Sequence, residues 1–539
     1  MSRPNPTILF GFFVAVIVAI CGASLLKGGV YIGKHEGDTL HMLEIVFRMA
    51  SGEWPHVDFM TPIGALGTAP IALFVKLGFG IGMAFILAQT LVAIVLLLPV
   101  WWVAHSRLAG FLPYLFGLFV LVLATALVHG EAQPSISLSM HYNRWAWAIS
   151  FVAIALSILP NQGVERPVVD GVIIGVAMAA LVMLKVTYFA AFSLPVALAL
   201  VLRGSILALI VAALTGLVVA GLITLAGGVE FWLAYAGDLL TVARSEIRAA
   251  PSGTLSEVVA APAHIGGSLV LVLGVVFLRQ AEQGVGGLIL LLLVPGFFYV
   301  TYQNYANDPQ WLLLMGVLLL AMLPETPMRN GFGWDLRIAL TMVATAAFAL
   351  ASPSFMNLAY SPFRHFWVDV TQYSPMMPKS GVHADLYATT LRGTHVTARV
   401  PLDGPGTAFA SYATLLDERE PVIFKGESLP DCEVELGLPA YFDTIVSDLE
   451  EAGFAQGRRL LAADLFSSHW LFGPLQPLKG GAPWYYGGLP GFDSADYLLV
   501  PLCPIIPEVR RMVLQSVEDA GVPLTEVHRT PLFILYEKG

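Results

Sequence analysis

Charge is what this chain of 539 residues has least of: Asp, Glu, Lys and Arg together make 12%, about half the share usual in soluble proteins. Hydrophobic residues make 57% and the mean hydropathy is +0.74, which identifies a polytopic membrane protein. Positive charge is scarcer than negative: 28 Lys and Arg stand against 38 Asp and Glu, for a net charge of −10. No basic tract compensates, so nucleic acid is excluded as a general partner, because that role needs a basic face to displace counterions. Only three cysteines are present, Cys21, Cys432 and Cys503, and none forms a CxxC pair. Cys432 and Cys503 are either one disulfide or two buried thiols. No P-loop, no GxGxxG followed by an acid, no HExxH and no GxSxG occurs, leaving ATP hydrolysis, nicotinamide chemistry and zinc proteolysis unsupported. Internal repeats and low-complexity tracts are also absent.

Long apolar runs are abundant. The first, 8–26, has only Arg3 before it and no A-x-A cleavage site, and at roughly 19 residues it reads as an uncleaved first helix. Further runs at 82–104, 111–129, 145–160, 168–184, 187–202, 206–226, 264–278, 285–302, 310–323 and 337–353 bring the expected spans to about eleven. With the N-terminus in the cytoplasm, Arg107, Arg166, Arg203, Arg279, Arg329 and Arg337 fall in successive inner links. The opposite face carries Lys34, Arg48, Lys76, Arg144, Lys185, Arg244 and Arg248, in long loops or beside polar clusters. This topology requires 63–79 to be re-entrant or surface-lying rather than spanning. Residues 1–353 then form the membrane domain, with an external loop at 27–60. Residues 354–539 hold no run long enough to span and read as one soluble α/β domain outside the cytoplasm, periplasmic on a multi-pass protein of an inner (plasma) membrane. In it, 459–466 and 496–502 read as buried strands, 507–521 as a helix ending at Gly521, and 524–538 as final strands.

Four polar islands interrupt the apolar pattern on the outer face. The first is Glu36-Gly37-Asp38, followed by Asp38, His41, Glu44 and Arg48 at helical spacing with Leu40, Leu43 and Phe47 opposite, the pattern of a helix lying in the membrane interface. Gly52 to Phe59 then supplies a second carboxylate, Asp58, before Thr61-Pro62. The second island, His129 to Trp147, holds His141, Tyr142, Asn143 and Arg144, an arginine able to meet a lipid phosphate beside aromatics able to stack on a sugar. The third is Lys185, between two apolar runs. The fourth, Tyr299 to Trp311, contains Tyr302, Gln303, Asn304 and Asp308, the amides, phenols and carboxylates that bind sugar hydroxyls. Each has a plainer reading: solvated loop acids, a headgroup anchor, a snorkelling lysine, a turn with an aromatic belt. Arg244 and Arg248, with Asp238 and Glu246 on a surface helix over 230–248, read as a solvated face. Convergence of four islands on one face favours a site.

On EGD at 36–38, GEWPHVDF at 52–59 and TPIG at 61–64, together with many spans and a soluble external domain, the chain resembles the GT-C superfamily of integral-membrane glycosyltransferases. Gly37 separates the two acids, and the apolar segment lacks the paired prolines and preceding Lys or His of the protein-mannosyl and aminoarabinose branches. The resemblance implies transfer of a sugar from a polyprenyl-phosphate donor to a lipid-borne or secreted glycan acceptor among membrane lipids, with inversion. It implies Asp38 as general base, and Glu36 as its assistant or, with Asp38, as ligand to a divalent cation, Mg²⁺ or Mn²⁺; no other cofactor is called for. Lys185 and Arg144 would stabilise the departing phosphate. His41, Asp58, His141, Tyr142, Asn143, Tyr302, Gln303, Asn304 and Asp308 would line the substrate. A transporter or flippase of polyprenyl-linked glycans would instead place charges near mid-bilayer on broken helices. A non-catalytic anchor for the C-terminal domain would leave the islands without a purpose.

Overall fold

The computed structural model describes residues 3–130, 132–247, 254, 256, 260–304, 308–404, 407–413 and 422–539; Arg248 and residues 305–307 of the fourth island lie outside them. Each apolar run falls on a helix, because in a lipid environment the backbone must satisfy its own hydrogen bonds. In chain order the helices are α1 (Pro6–Lys27), α2 (Glu36–Ser51), α3 (Ala69–Lys76), α4 (Ile81–Arg107), α5 (Leu112–Thr125), α6 (His141–Ile158) and α7 (Pro167–Leu184). Then follow α8 (Val186–Leu202), α9 (Ile206–Arg244), α10 (Pro262–Gln280), α11 (Gly284–Gln303), α12 (Trp311–Ala321) and α13 (Leu336–Phe366). Seven of these, α1, α4, α7, α9, α10, α11 and α13, are long and apolar enough to cross a membrane, so this is a multi-pass membrane protein. Of the other expected spans, α5 and α12, at 14 and 11 residues, are shorter than the roughly 17 of a wholly helical crossing.

The shortness of α5 has a visible cause. The chain leaves the helix at Ala126 and runs non-helically through buried residues 126–130, which is tolerated only where protein groups take over the freed carbonyls. Trp145 donates to the Ala124 carbonyl (3.0 Å), Gln89 and Arg144 to that of Ala126 (2.9 Å each), and Arg144 again to that of Val128. The 63–79 segment forms a single 3-10 turn and the eight-residue α3, too short to cross, packed against α2 and α4. Helix α9 breaks at Gly228, whose φ of 74° is left-handed. Its second part is the surface helix expected over 230–248. Arg244 at its end and Glu246 just past it are exposed, but Asp238 is buried, accepting from His56 Nδ1 (2.8 Å) and the Thr61 amide (3.0 Å).

The final apolar helix, α13, continues past Ser354 to Phe366. Beyond it a four-stranded sheet forms in the order β10-β11-β9-β8, from β8 (Leu460–Ala462), β9 (Tyr497–Pro501), β10 (Leu524–Arg529) and β11 (Phe533–Lys538). Strands β8 and β9 are parallel and the other neighbours antiparallel. The helix Pro507–Ala520 stops at Gly521, whose φ of 63° supplies the left-handed cap. Cys432 and Cys503 are joined as a disulfide, with their Cα atoms 5.2 Å apart.

The two parts are stitched together by the first loop. Strand β1 (Val30–Ile32), just after α1, pairs in parallel with β3 (Leu386–Thr389), which also carries β2 (Tyr373–Pro375) antiparallel. Asp385, before β3, accepts from the amides of Gly82 and Met83 (2.9 Å each), capping the N-terminus of α4 from another domain. At the far end of α4, about 40 Å away by helix rise, Arg107 pairs with Asp170 (2.5 Å).

The C-terminal domain carries a pH-sensitive element. Burial with its ring edge-on to Phe442 (4.8 Å) pushes the His469 imidazole down to about 3 from 6.5, while burial raises the Asp464 carboxyl to about 6 against three backbone N–H bonds. A depressed histidine gives stability that is present above its unfolded pKa and lost as pH falls; the raised aspartate gives stability present at low pH and lost as pH rises through about 6. The two therefore oppose each other in mild acid, and only a difference between variants isolates one. We predict that His469→Leu gains on the wild type by about 2 kcal/mol between about pH 7 and about pH 5, read as a divergence of melting curves. Parallel curves over that range would show that His469 is not held neutral.

Candidate active site

Helix α2 is the centre of the site, and its surroundings differ from those expected. Its apolar residues Leu40, Leu43 and Val46 are buried, but so are His41, Glu44 and Arg48. The polar face is not exposed, as a helix lying in the membrane interface would need it to be. It is covered by the C-terminal domain: Ser467 and Ser468 donate to the two oxygens of Glu44 (2.8 and 3.1 Å), and Arg48 donates to the Leu478 carbonyl (2.9 Å) and to Glu53 (2.9 Å). The Glu44–Arg48 pair is fully buried, at 0% exposure on both side chains. Two backbone bonds follow, Met60 N to Gly481 O (3.0 Å) and Gly480 N to Asp58 O (2.9 Å).

Two residues apart on a helix, Glu36 and Asp38 diverge by about 200°. Glu36 therefore points at Arg392 of the C-terminal domain, whose Nε donates to it at 2.8 Å, while Asp38 faces a cavity. The two carboxylates do not make the cation site expected of them, and among the described residues no group of three or more His, Cys, Asp and Glu could hold a metal ion. Gly37 between them is where Phe466 approaches; a Cβ there would lie 3.0 Å from its ring.

The cavity opens where α2 meets the entry to α6 and the C-terminal domain. Its walls come from α2 (Asp38, His41, Met42), the 62–68 segment (Pro62, Ile63, Thr68), the entry to α6 (Leu138 to Tyr142), Lys185, and Trp484 and Tyr486 of the C-terminal domain. Ser139 donates to Asp38 Oδ2 at 2.6 Å. Lys185 lies at the break between α7 and α8, its ammonium donating to Asn304 (2.5 Å) and standing 5.4 Å from the centre of the Tyr142 ring. Gly64 makes this convergence fit, because a side chain at that position would collide with the carbonyl of Met183, two residues before Lys185. Two of the five non-glycine residues with left-handed φ among the described residues, His35 (62°), which precedes α2, and Met140 (54°), lie in the segments that bound the cavity. Such conformations persist only where the surroundings enforce them, and they gather at functional sites.

All four polar islands meet here: Asp38 bonds Ser139, Lys185 faces Tyr142, and Lys185 bonds Asn304. Their members divide. Asp38, His41, His141, Tyr142 and Lys185 line the first cavity. Asn143, Arg144, Asn304 and Asp308 line a smaller one behind it, with His129 and Gln310. The buried Asn143 amide has no hydrogen-bond partner among the described residues on either atom. Asn304 also donates to the Tyr188 hydroxyl (3.1 Å).

Several expected residues do other work. Arg144 was expected to meet a lipid phosphate, but both its terminal nitrogens donate to backbone carbonyls of the 126–139 loop, because that loop has no helical bonds of its own. His141 lines the cavity with its ring held by the carbonyls of Gly67 (2.7 Å) and Leu138 (3.3 Å). Exposed Asp58 accepts from the Trp54 amide (2.6 Å), closing its own turn. Tyr302 and Gln303 line neither cavity, and Gln303 donates to Tyr299 one turn back. Trp484, Tyr486 and Ser139 were not anticipated. The available signal was Trp484-Tyr485-Tyr486 between glycine pairs at 480–481 and 487–488, an aromatic cluster outside any helical or strand period.

No protein-family profile matches the chain, and no curated protein matches it. Solved structures similar to it include ArnT from Cupriavidus metallidurans bound to undecaprenyl phosphate, at 13% identity and a TM-score of 0.43 over 97% of both chains. The apo state of the same protein gives 12% identity and a TM-score of 0.45, over 97% of this chain and 96% of the other. At these values the chemistry of this chain has to be read from its own cavity.

Proposed function

We propose that the chain is a GT-C-type membrane glycosyltransferase that moves a sugar from a polyprenyl-phosphate donor to a lipid-borne or secreted acceptor. The observation that carries the reading is that Asp38 and Lys185, one anion and one cation from distant segments, line one cavity where the membrane helices meet the C-terminal domain. A carboxylate and an ammonium across one cavity suit a displacement in which a proton is removed at one end and negative charge builds at the other. Ser139 occupies Oδ2 of Asp38 and leaves Oδ1 for the acceptor hydroxyl proton. The acceptor oxygen then attacks the anomeric carbon, the bond from that carbon to the phosphate oxygen breaks, and the polyprenyl phosphate leaves with the electron pair. Lys185, oriented by Asn304 and Tyr142, meets that phosphate. Direct attack inverts the anomeric centre.

A transporter would place its ionisable groups at mid-bilayer, whereas Arg107 and Asp170 pair at the far end of α4 and the remaining candidates gather at this one. A passive anchor would not need the cavity.

Asp38→Asn should leave expression and thermal stability unchanged while abolishing glycan transfer from purified lipid donor. Transfer near the wild-type rate would remove Asp38 as the base. Lys185→Ala should weaken donor binding by roughly tenfold or more, since a charge-assisted contact contributes about 1.5–3 kcal/mol. Normal donor affinity in a properly inserted variant would assign Lys185 to lipid headgroups instead.

The reading also puts the cavity and the C-terminal domain outside the cytoplasm, in the inner (plasma) membrane. Its support is that Arg107 and Arg203 lie at the ends of α4 and α8, with Arg166 preceding α7, in the arginine-bearing links opposite the cavity. A reporter active only outside the cytoplasm should work when fused after Gly539 and be silent when fused after Arg107. The reverse pattern would put the acidic cavity on the cytoplasmic side.

A further inference from the structure

Trp484 is a large aromatic side chain in the cavity wall to which the transfer mechanism gives no role. It is half-buried, whereas its neighbours Tyr485 and Tyr486 are buried. Phe466 supports the indole edge-on at 5.1 Å, and Phe466 itself rests against α2 at Gly37. The His41 ring stands 5.5 Å from the indole, tilted by 57°, one helical turn from Asp38. The loop that carries Trp484 is pinned on both sides. Gly480 and Gly481 bond to Asp58 and Met60, the Tyr485 amide bonds to the Leu465 carbonyl (2.8 Å), and Trp484 bridges to Phe466. The indole is thus a fixed wall of the cavity, not part of a mobile flap.

We propose that this indole is the surface on which the sugar ring of the donor is held, so that the C-terminal domain reads the sugar. The inference deepens the transferase reading and rests on it. One side of a sugar ring presents polarised C–H bonds, which pack on the negative face of an aromatic ring. Its hydroxyls point outward from that stack, toward the polar groups of His41, Ser139 and Thr68 on the same cavity. An isoprenoid chain would also pack on an indole, and the two sources are separable by comparing lipids with and without a sugar.

The test uses the full-length protein in detergent and measures binding of undecaprenyl phosphate and of its glucose, mannose and arabinose conjugates. The conjugate that the wild type binds more tightly than the bare lipid serves as probe. Trp484→Ala should weaken that conjugate by roughly tenfold, the scale of one lost ring stack, while binding of bare undecaprenyl phosphate stays within about twofold. Trp484→Phe, which keeps an aromatic face, should recover most of the loss. Equal weakening of both lipids would assign Trp484 to the isoprenoid or to holding the fold, and overturn the proposal. So would an unchanged affinity for the conjugate, or a wild type that binds no conjugate more tightly than the bare lipid. In those cases a wild type that still binds bare undecaprenyl phosphate and transfers sugar would leave the transferase reading standing. A wild type that neither binds any of these lipids nor transfers from them would remove both.

Discussion

Burial of the charged face of α2 between two domains is the constraint on which the site depends. Removing Glu44 and Arg48 from water is costly, and it is tolerable only because each finds partners on the opposing domain. Loss of either partner would strand the other charge, a penalty on the order of 3–5 kcal/mol for a buried pair. The helix can therefore sit in only one register against Ser467, Ser468 and Leu478. That register turns Asp38 and His41 toward Lys185 and Trp484, and Glu36 toward Arg392. The cavity is defined by an interface, and the C-terminal domain is a structural part of it.

What could be read from the sequence divides along physical lines. Hydropathy located the helices because lipid leaves the backbone no alternative to internal bonding, and each apolar run carries a helix. Strands β8 and β9 and the helix capped by Gly521 followed from period and cap chemistry. Asp38 and Lys185 stood out because charges of those types are costly beside apolar runs. What failed was direction. A pair written Glu-Gly-Asp reads as two neighbouring carboxylates, yet a two-residue step around a helix sends them to different domains.

Arg144 shows the second way that sequence misleads. An arginine at the mouth of an apolar helix has two uses, a lipid phosphate or orphaned backbone carbonyls, and residue type does not separate them. The deciding fact is that α5 stops at Thr125 and leaves the carbonyls of Ala126 and Val128 in need of donors. No hydropathy pattern announces that, because the apolar character continues through Val128. The aromatic cluster at Trp484 and Tyr486 stands out in the sequence but not its place, because its neighbours on the cavity wall come from the other end of the chain.

The same interface sets the electrostatics of the site. The cavity wall carries one carboxylate and one ammonium, Asp38 and Lys185. Arg48 and Arg144, the other cations of the neighbouring segments, are committed to Leu478, to Glu44 and Glu53, and to loop carbonyls. Positive potential in the cavity is consequently localised at Lys185 instead of being spread over an arginine cluster, and a low-dielectric wall of Met42, Ile63 and Leu138 screens it little. Such a site holds an anion at one point and leaves the rest of a ligand to hydrogen bonds and ring contacts. That division suits a substrate with a single charge at the join between an apolar tail and a neutral polar head.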